Sequence, residues 1–299
     1  MSSFIQALAD PSMPFIRYAL IAGIISSAAF GMVGSFVVVR RISYIAGAVS
    51  HAALAGLGGS LYLQVVHDIT WFSPLLGATV AALLSAWIIA LVNLYAAERE
   101  DTIIGAIWAV GMAVGLLFIA KTPGYMDPMS YLFGNILLIG KADLLLIMAL
   151  NLLVIVLVLL FYPQLQAVCF DEPYARTRKV PTGFFMLLLV TLTAVTVVLM
   201  VSTVGIVMVI AMLTLPAATA GLFARRLSGM MLYGGLICAF SNVAGLYSSY
   251  SLDVPTGAMT ILVSGGLYVA ALVVRSIQRR FRLQRGSSEY MYSNSATQE

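Results

Sequence analysis

The apolar run that follows Arg40 and Arg41 and continues to Val66 contains one histidine, His51. On an α-helix, His51 stands about 15 Å along the axis from Arg41, near the middle of a bilayer core about 30 Å thick. An ionisable side chain at that depth marks a functional site by default. The imidazole there is either part of a functional site or a hydrogen-bonded packing residue. Both readings stand on the sequence alone. Its helical neighbours at i−4, i−3, i+4, i+7 and i+8 are Gly47, Ala48, Ala55, Gly58 and Gly59. They leave a face with almost no bulk, which permits close helix packing or leaves room beside the imidazole for a solute. Gly47, Ser50 and Ala55 are therefore candidate lining residues.

Three further stretches carry chemistry. Residues 163–181 hold Phe170, Asp171, Glu172, Tyr174, Ala175, Arg176, Arg178 and Lys179 in a charge order that suits a short helix, acidic first and basic last. Phe170, Tyr174 and Val180 add apolar area, so the segment reads as a solvated interfacial helix or as a docking helix for a partner. Glu98, Glu100 and Asp101 form a polar cluster at the mouth of an apolar run, where Asp101 is placed to cap the helix. Pro216 falls inside another run and frees a backbone carbonyl near Met212, which predicts a kink or a carbonyl on the path.

Enzyme chemistry is not written in the chain. It has no Gly-x-x-x-x-Gly-Lys-Ser/Thr, no His-Glu-x-x-His and no Gly-x-Ser-x-Gly. His67 and Asp68 read as a solvated loop pair. Cys169 and Cys238 lie too far apart in sequence to suggest a metal or disulfide pattern. Any ATP hydrolysis belongs to another chain.

The elements that must position these residues are membrane helices. Of 299 residues, 61% are apolar and 9% charged, and mean hydropathy is +1.01. Soluble domains carry about a quarter charged residues. The expected fold is all-α and polytopic, with eight or nine transmembrane helices. Candidate spans are 15–39, 42–66, 72–95, 102–120, 142–162, 182–202, 204–224, 229–250 and 256–275. The block Phe184–Ala224 is too long for one span and divides near residues 202–205. Residues 130–140 are too short to cross. With the N-terminus outside, thirteen Lys and Arg fall on the inner side and three on the outer. This agrees with the positive-inside rule and puts the C-terminus inside. The net charge of +4 reports topology rather than nucleic-acid binding. The expected organisation is an outer segment 1–14, a membrane domain 15–280 and a disordered tail 281–299. Phe15–Val39 is read as an uncleaved first span.

Four stretches carry a resemblance. They are Gly34–Ser43 running on through Ser50-His51-Ala52, Glu100–Gly105, Phe170–Arg176 and Leu215–Ala220. Together they resemble the membrane permeases of ATP-binding-cassette importers for manganese, zinc and iron, the ABC-3 family. The resemblance covers residues 15–275. It implies two permease protomers, cytoplasmic ATPases and an extracytoplasmic metal-binding protein in a bacterial inner membrane. It makes 164–180 the coupling helix that docks on the ATPase, with Phe170, Asp171, Glu172, Tyr174, Ala175, Arg176 and Arg178 at that interface. It also faces His51 to the path of a transported metal, with no stably bound cofactor. One position departs: many members carry an aspartate where this chain has Gly47. The alternatives to metal import are import of an iron chelate or another small solute and, further off, ion-coupled secondary transport. The last would need a carboxylate at mid-membrane depth.

Overall fold

The computed structural model describes residues 14–95, 100–124 and 140–296, with Phe4, Gln6, Leu8 and Asp10. The helices are α1 (Pro14–Arg40), α2 (Ser43–His67), α3 (Pro74–Tyr95), α4 (Glu100–Lys121), α5 (Lys141–Leu160), α6 (Tyr162–Phe170), α7 (Glu172–Thr177), α8 (Thr182–Val204), α9 (Ile206–Gly221), α10 (Leu227–Leu252) and α11 (Thr256–Ala296). Eight of them are long and apolar enough to cross a bilayer. The ninth apolar helix, α9, has 16 residues and rises about 24 Å, short of a full crossing. The all-α, multi-pass reading therefore holds, and the break expected within Phe184–Ala224 falls at Gly205. Residues 130–139 and Glu98 lie outside the described residues.

Helix ends follow local chemistry. Arg41, Asp68, Lys179 and Asp253 all take positive φ, between 53° and 62°, at or just after the ends of α1, α2, α7 and α10. A single left-handed residue closes a helix, and polar residues tolerate that conformation better than branched apolar ones. Gly205 (φ 84°) is the only residue between α8 and α9, and a link that short needs glycine's freedom.

Backbone approaches fix how the helices run. Gly56 of α2 lies against Gly77 and Ala81 of α3, an antiparallel pair. Gly58 and Leu54 of α2 lie against Gly115 of α4, and Ala52 against Gly111, so α2 and α4 run parallel. Gly31 meets Gly235 while Gly23 meets Asn242, making α1 and α10 antiparallel. The Asn242 side-chain amide donates to the Gly23 carbonyl (2.9 Å) and to the Ser27 hydroxyl (3.2 Å), joining α1 to α10 by polar contacts within apolar surroundings. Trp87 of α3 donates its indole N–H to Thr191 of α8 at 3.1 Å. Through these pairings Arg40, Arg41, Arg176, Arg178, Arg225, Arg226 and Arg275 collect at one end of the bundle, and Lys121 and Lys141 at the other. The core is α1, α2, α8 and α9, where Phe30, Phe36, Ile45, Leu54, Leu189, Leu199 and Ile206 are all buried. Leu152, Leu159, Leu232 and Leu262 point outward, more than 60% exposed, as side chains facing lipid tails would.

Two corrections of detail arise. The segment expected as one short helix over 164–180 is two, α6 and α7, because the Asp171 carboxylate caps α7 by accepting from the Tyr174 N–H (2.9 Å). The last helix continues to Ala296 through residues read from composition as a disordered tail; Arg, Gln and Leu over 275–285 are strong helix formers.

A Cβ at Gly56 would run into the Gly77 carbonyl, whereas one at Gly105 meets nothing within 4 Å. Gly56→Val is therefore expected to lower stability by about 1–3 kcal/mol through overpacking. Gly105→Ala should be neutral or stabilising. Thermal unfolding of the detergent-purified protein checks both; equal melting temperatures would contradict the packing.

Candidate functional site

His51 sits two turns into α2, and the residues around it set its surroundings. The side chain is 7% exposed, and its Nδ1 is buried with no hydrogen-bond partner. The imidazole is instead stacked on the indole of Trp108 from α4, with ring centroids 4.7 Å apart and planes 24° apart. Gly47, one turn below, is what admits the indole: a Cβ there would collide with the Trp108 six-membered ring. The indole thus occupies the volume a side chain at position 47 would need. A buried nitrogen without a partner costs about 1–3 kcal/mol, and a cation coordinated there would recover it. The imidazole is an N donor of the kind that suits zinc, copper, iron and nickel. No group of three or more His, Cys, Asp or Glu that could hold a metal occurs among the described residues. His51 therefore offers one ligand, not a closed metal cage.

The other candidates divide. Ser50 is buried, with its hydroxyl bonded to the Ala46 carbonyl of its own helix at 2.7 Å. Ala55 turns outward and, with Ala52, Ala81, Leu84, Ala106 and Val110, lines a side groove of about 430 Å³ between α2, α3 and α4. Pro216 is buried in α9, between Leu213 and Ala217, the residues that pack on Gly34 of α1. Asp101 is exposed and is the second residue of α4, inside the first turn rather than before it as a cap.

At the basic end, α6 and α7 bring the docking candidates together. Phe170 and Tyr174 present their rings outward, 61% and 57% exposed, while Ala175 is buried beneath them. Glu172 accepts from Arg40 (Oε2, 2.5 Å) and from Arg176 (Oε1, 2.7 Å), and Arg176 also donates to the Thr182 hydroxyl at 3.2 Å. Arg40, Phe170, Asp171, Glu172, Pro173 and Arg176 enclose a polar pocket of about 450 Å³. Arg178 is exposed beyond it. Partial burial pushes the Glu172 carboxyl up, but the hydrogen bonds and charges of Arg40 and Arg176 outweigh that and hold it below its ordinary 4.5.

Trp108 and the bridging role of Arg40 were not found from spacing, because both contacts join helices far apart in sequence. The one available cue for Trp108 was its depth. It stands about 12 Å into its helix, away from the membrane interfaces where tryptophan concentrates.

Comparison with known proteins follows the same outline. A family model described as the ABC 3 transport family matches residues 12–275. A membrane protein of Synechocystis, uncharacterised in function, is 40% identical over 92% of this chain and 95% of its own. The manganese import system permease protein ScaB of Streptococcus gordonii is 32% identical over 93% of this chain and 97% of its own. A chain of PsaBC from Streptococcus pneumoniae, solved in complex with a Fab, superposes with a TM-score of 0.82 at 30% identity, covering 95% of this chain and 99% of that one.

The Glu172 bridge makes a prediction with a definite sign. A carboxylate whose pKa is lowered by folding contributes stability above its unfolded pKa, and that contribution is lost as pH falls through the folded value. Amide-exchange protection over residues 172–180 should accordingly be full near neutrality and drop below the ordinary carboxylate range. Glu172→Gln should reproduce the loss at neutral pH, costing about 1 kcal/mol for a partly exposed network. Protection that is unchanged in Glu172→Gln would count against the bridge.

Proposed function

The chain belongs to the ABC 3 transport family, and from that premise we propose that it is the permease subunit of an importer for a divalent transition metal ion. Its eight long apolar helices and its permease relatives make it a multi-pass membrane protein of the bacterial inner membrane. The names of its relatives favour manganese as the ion. The single observation that carries the reading at the site is His51: buried two turns into α2, its Nδ1 unpartnered, on a helix face of glycine and alanine. Such a nitrogen can hold a metal briefly and release it. The remaining ligands then come from water, from backbone carbonyls or from a second protomer.

The basic end, rich in Arg and Lys, is taken as cytoplasmic, with the N-terminus outside and the C-terminus inside. A separate ATPase subunit would dock on α6 and α7, with the exposed Phe170 and Tyr174 as apolar anchors and Asp171, Glu172, Arg176 and Arg178 as the polar rim. An extracytoplasmic metal-binding protein would deliver the ion at the opposite end. ATP binding and hydrolysis would switch the bundle between outward and inward access, and Gly47, Ser50, Ala55 and Pro216 are the proposed lining near the path. Lipid covers the exposed leucines.

The test is cellular metal content, measured by mass spectrometry in cells expressing the chain with its neighbouring transport subunits. His51→Ala should lower accumulation of one metal by roughly tenfold, the effect of losing about 1.4 kcal/mol of ion binding, while the complex still copurifies. Because protons compete for the same nitrogen, uptake in the wild type should also fall as the medium is acidified through the imidazole range. Normal accumulation of every metal in His51→Ala would overturn the ligand role.

A further inference from the structure

We propose that Trp108 controls access to His51, with Gly47 as the place that receives its ring. The inference rests on the reading of His51 as an ion ligand and goes past it to how that ligand is covered. Three observations converge on it. The indole lies nearly parallel to the imidazole at 4.7 Å, so one face of the ring is closed by carbon. The Nδ1 of the same ring is buried and without a partner, although an imidazole in a settled packing role would be expected to donate or accept a hydrogen bond there. And the indole can lie where it does only because position 47 has no side chain.

The cover that moves is the indole and not α4, which packs backbone to backbone on α2 at Gly111 and Gly115. Away from that seam α4 is the least buried of the eight long apolar helices. Its contacts to the bundle are mainly with α2. Val110, two residues after Trp108 and so on the opposite face of α4, is 61% exposed. A metal binds an imidazole nitrogen along its in-plane lone pair, so the stacked indole acts by closing one ring face and holding the imidazole in its buried rotamer. The indole swings aside to free it, which needs no change in the α2 backbone. Trp108 is a positioning residue in this scheme: it touches the His51 ring and not the ion.

The experiment uses the full transporter with its ATPase in lipid nanodiscs, in a Cys169→Ala and Cys238→Ala background. His51→Cys supplies a reporter thiol, and the probe is a polar methanethiosulfonate reagent. A closed state that leaves the open one populated at about a tenth or less predicts slow labelling. Adding Trp108→Ala should speed it about tenfold or more, and Trp108→Phe should keep it slow because an aromatic cover remains. Gly47→Leu keeps the tryptophan but denies it its place, and should also speed labelling. It decides the matter if the Trp108→Ala protein does not assemble. Equal rates in all backgrounds overturn the proposal. The ligand reading is judged apart, by uptake in His51→Ala. Fast labelling with normal uptake leaves the cover and removes the ligand, and uniform labelling with lost uptake does the reverse.

Discussion

The nearness of α2 to its two neighbours is the constraint on which the bundle depends. Lipid tails are as apolar as leucine, so burying apolar surface does not by itself hold membrane helices together. What remains is van der Waals contact at close range, and Gly56, Gly58, Gly77, Gly111 and Gly115 permit it by bringing backbone against backbone. The same approach brings α4 near enough for Trp108 to reach across to His51. Loosening α2 from α4 would therefore uncover the imidazole and weaken the fold together.

At its other end α2 begins at a corner tied to α7. Arg41, with positive φ, and Ile42, whose N–H bonds the Val37 carbonyl at 3.0 Å, turn the chain out of α1 and into α2. Arg40 in that corner holds Glu172 of α7. From Ser43 to His51 is eight residues, about 12 Å of helix. A push on α7 thus has a short mechanical route to the helix that carries the imidazole, made of one ion pair and one rigid element. The pair is 27% exposed on both sides, enough for water to weaken it and too little to ignore.

Much of this was legible in the chain because period and polarity act locally. The apolar runs, the break between α8 and α9, the basic end and the short helical segment after α5 all follow from residues near one another in sequence. His51 stood out for the same reason, as one ionisable group in an apolar run. The division of residues 162–177 into two helices at Asp171 was harder, since a capping carboxylate and a mid-helix acid look alike until the Tyr174 N–H is seen to use it. Trp108 over His51 was beyond reach, because the sequence marks Gly47 as small without saying what fills the space. Position 47 looked like a missing ligand, and the structure has it occupied from another helix.

The one-residue link at Gly205 bears on how the protein enters the membrane. There is no polar loop between α8 and α9 to pause on the far side, and α9 is too short to span alone. The first N–H groups of α9 lack intrahelical partners, and Gly205 has no side chain to cap them, while Ile206 and Met208 lie buried among other helices. The two helices must therefore be integrated as a single hairpin. α9 reaches its depth only once α1 and α10 are there to receive it, so assembly at this point waits on residues synthesised later in the chain.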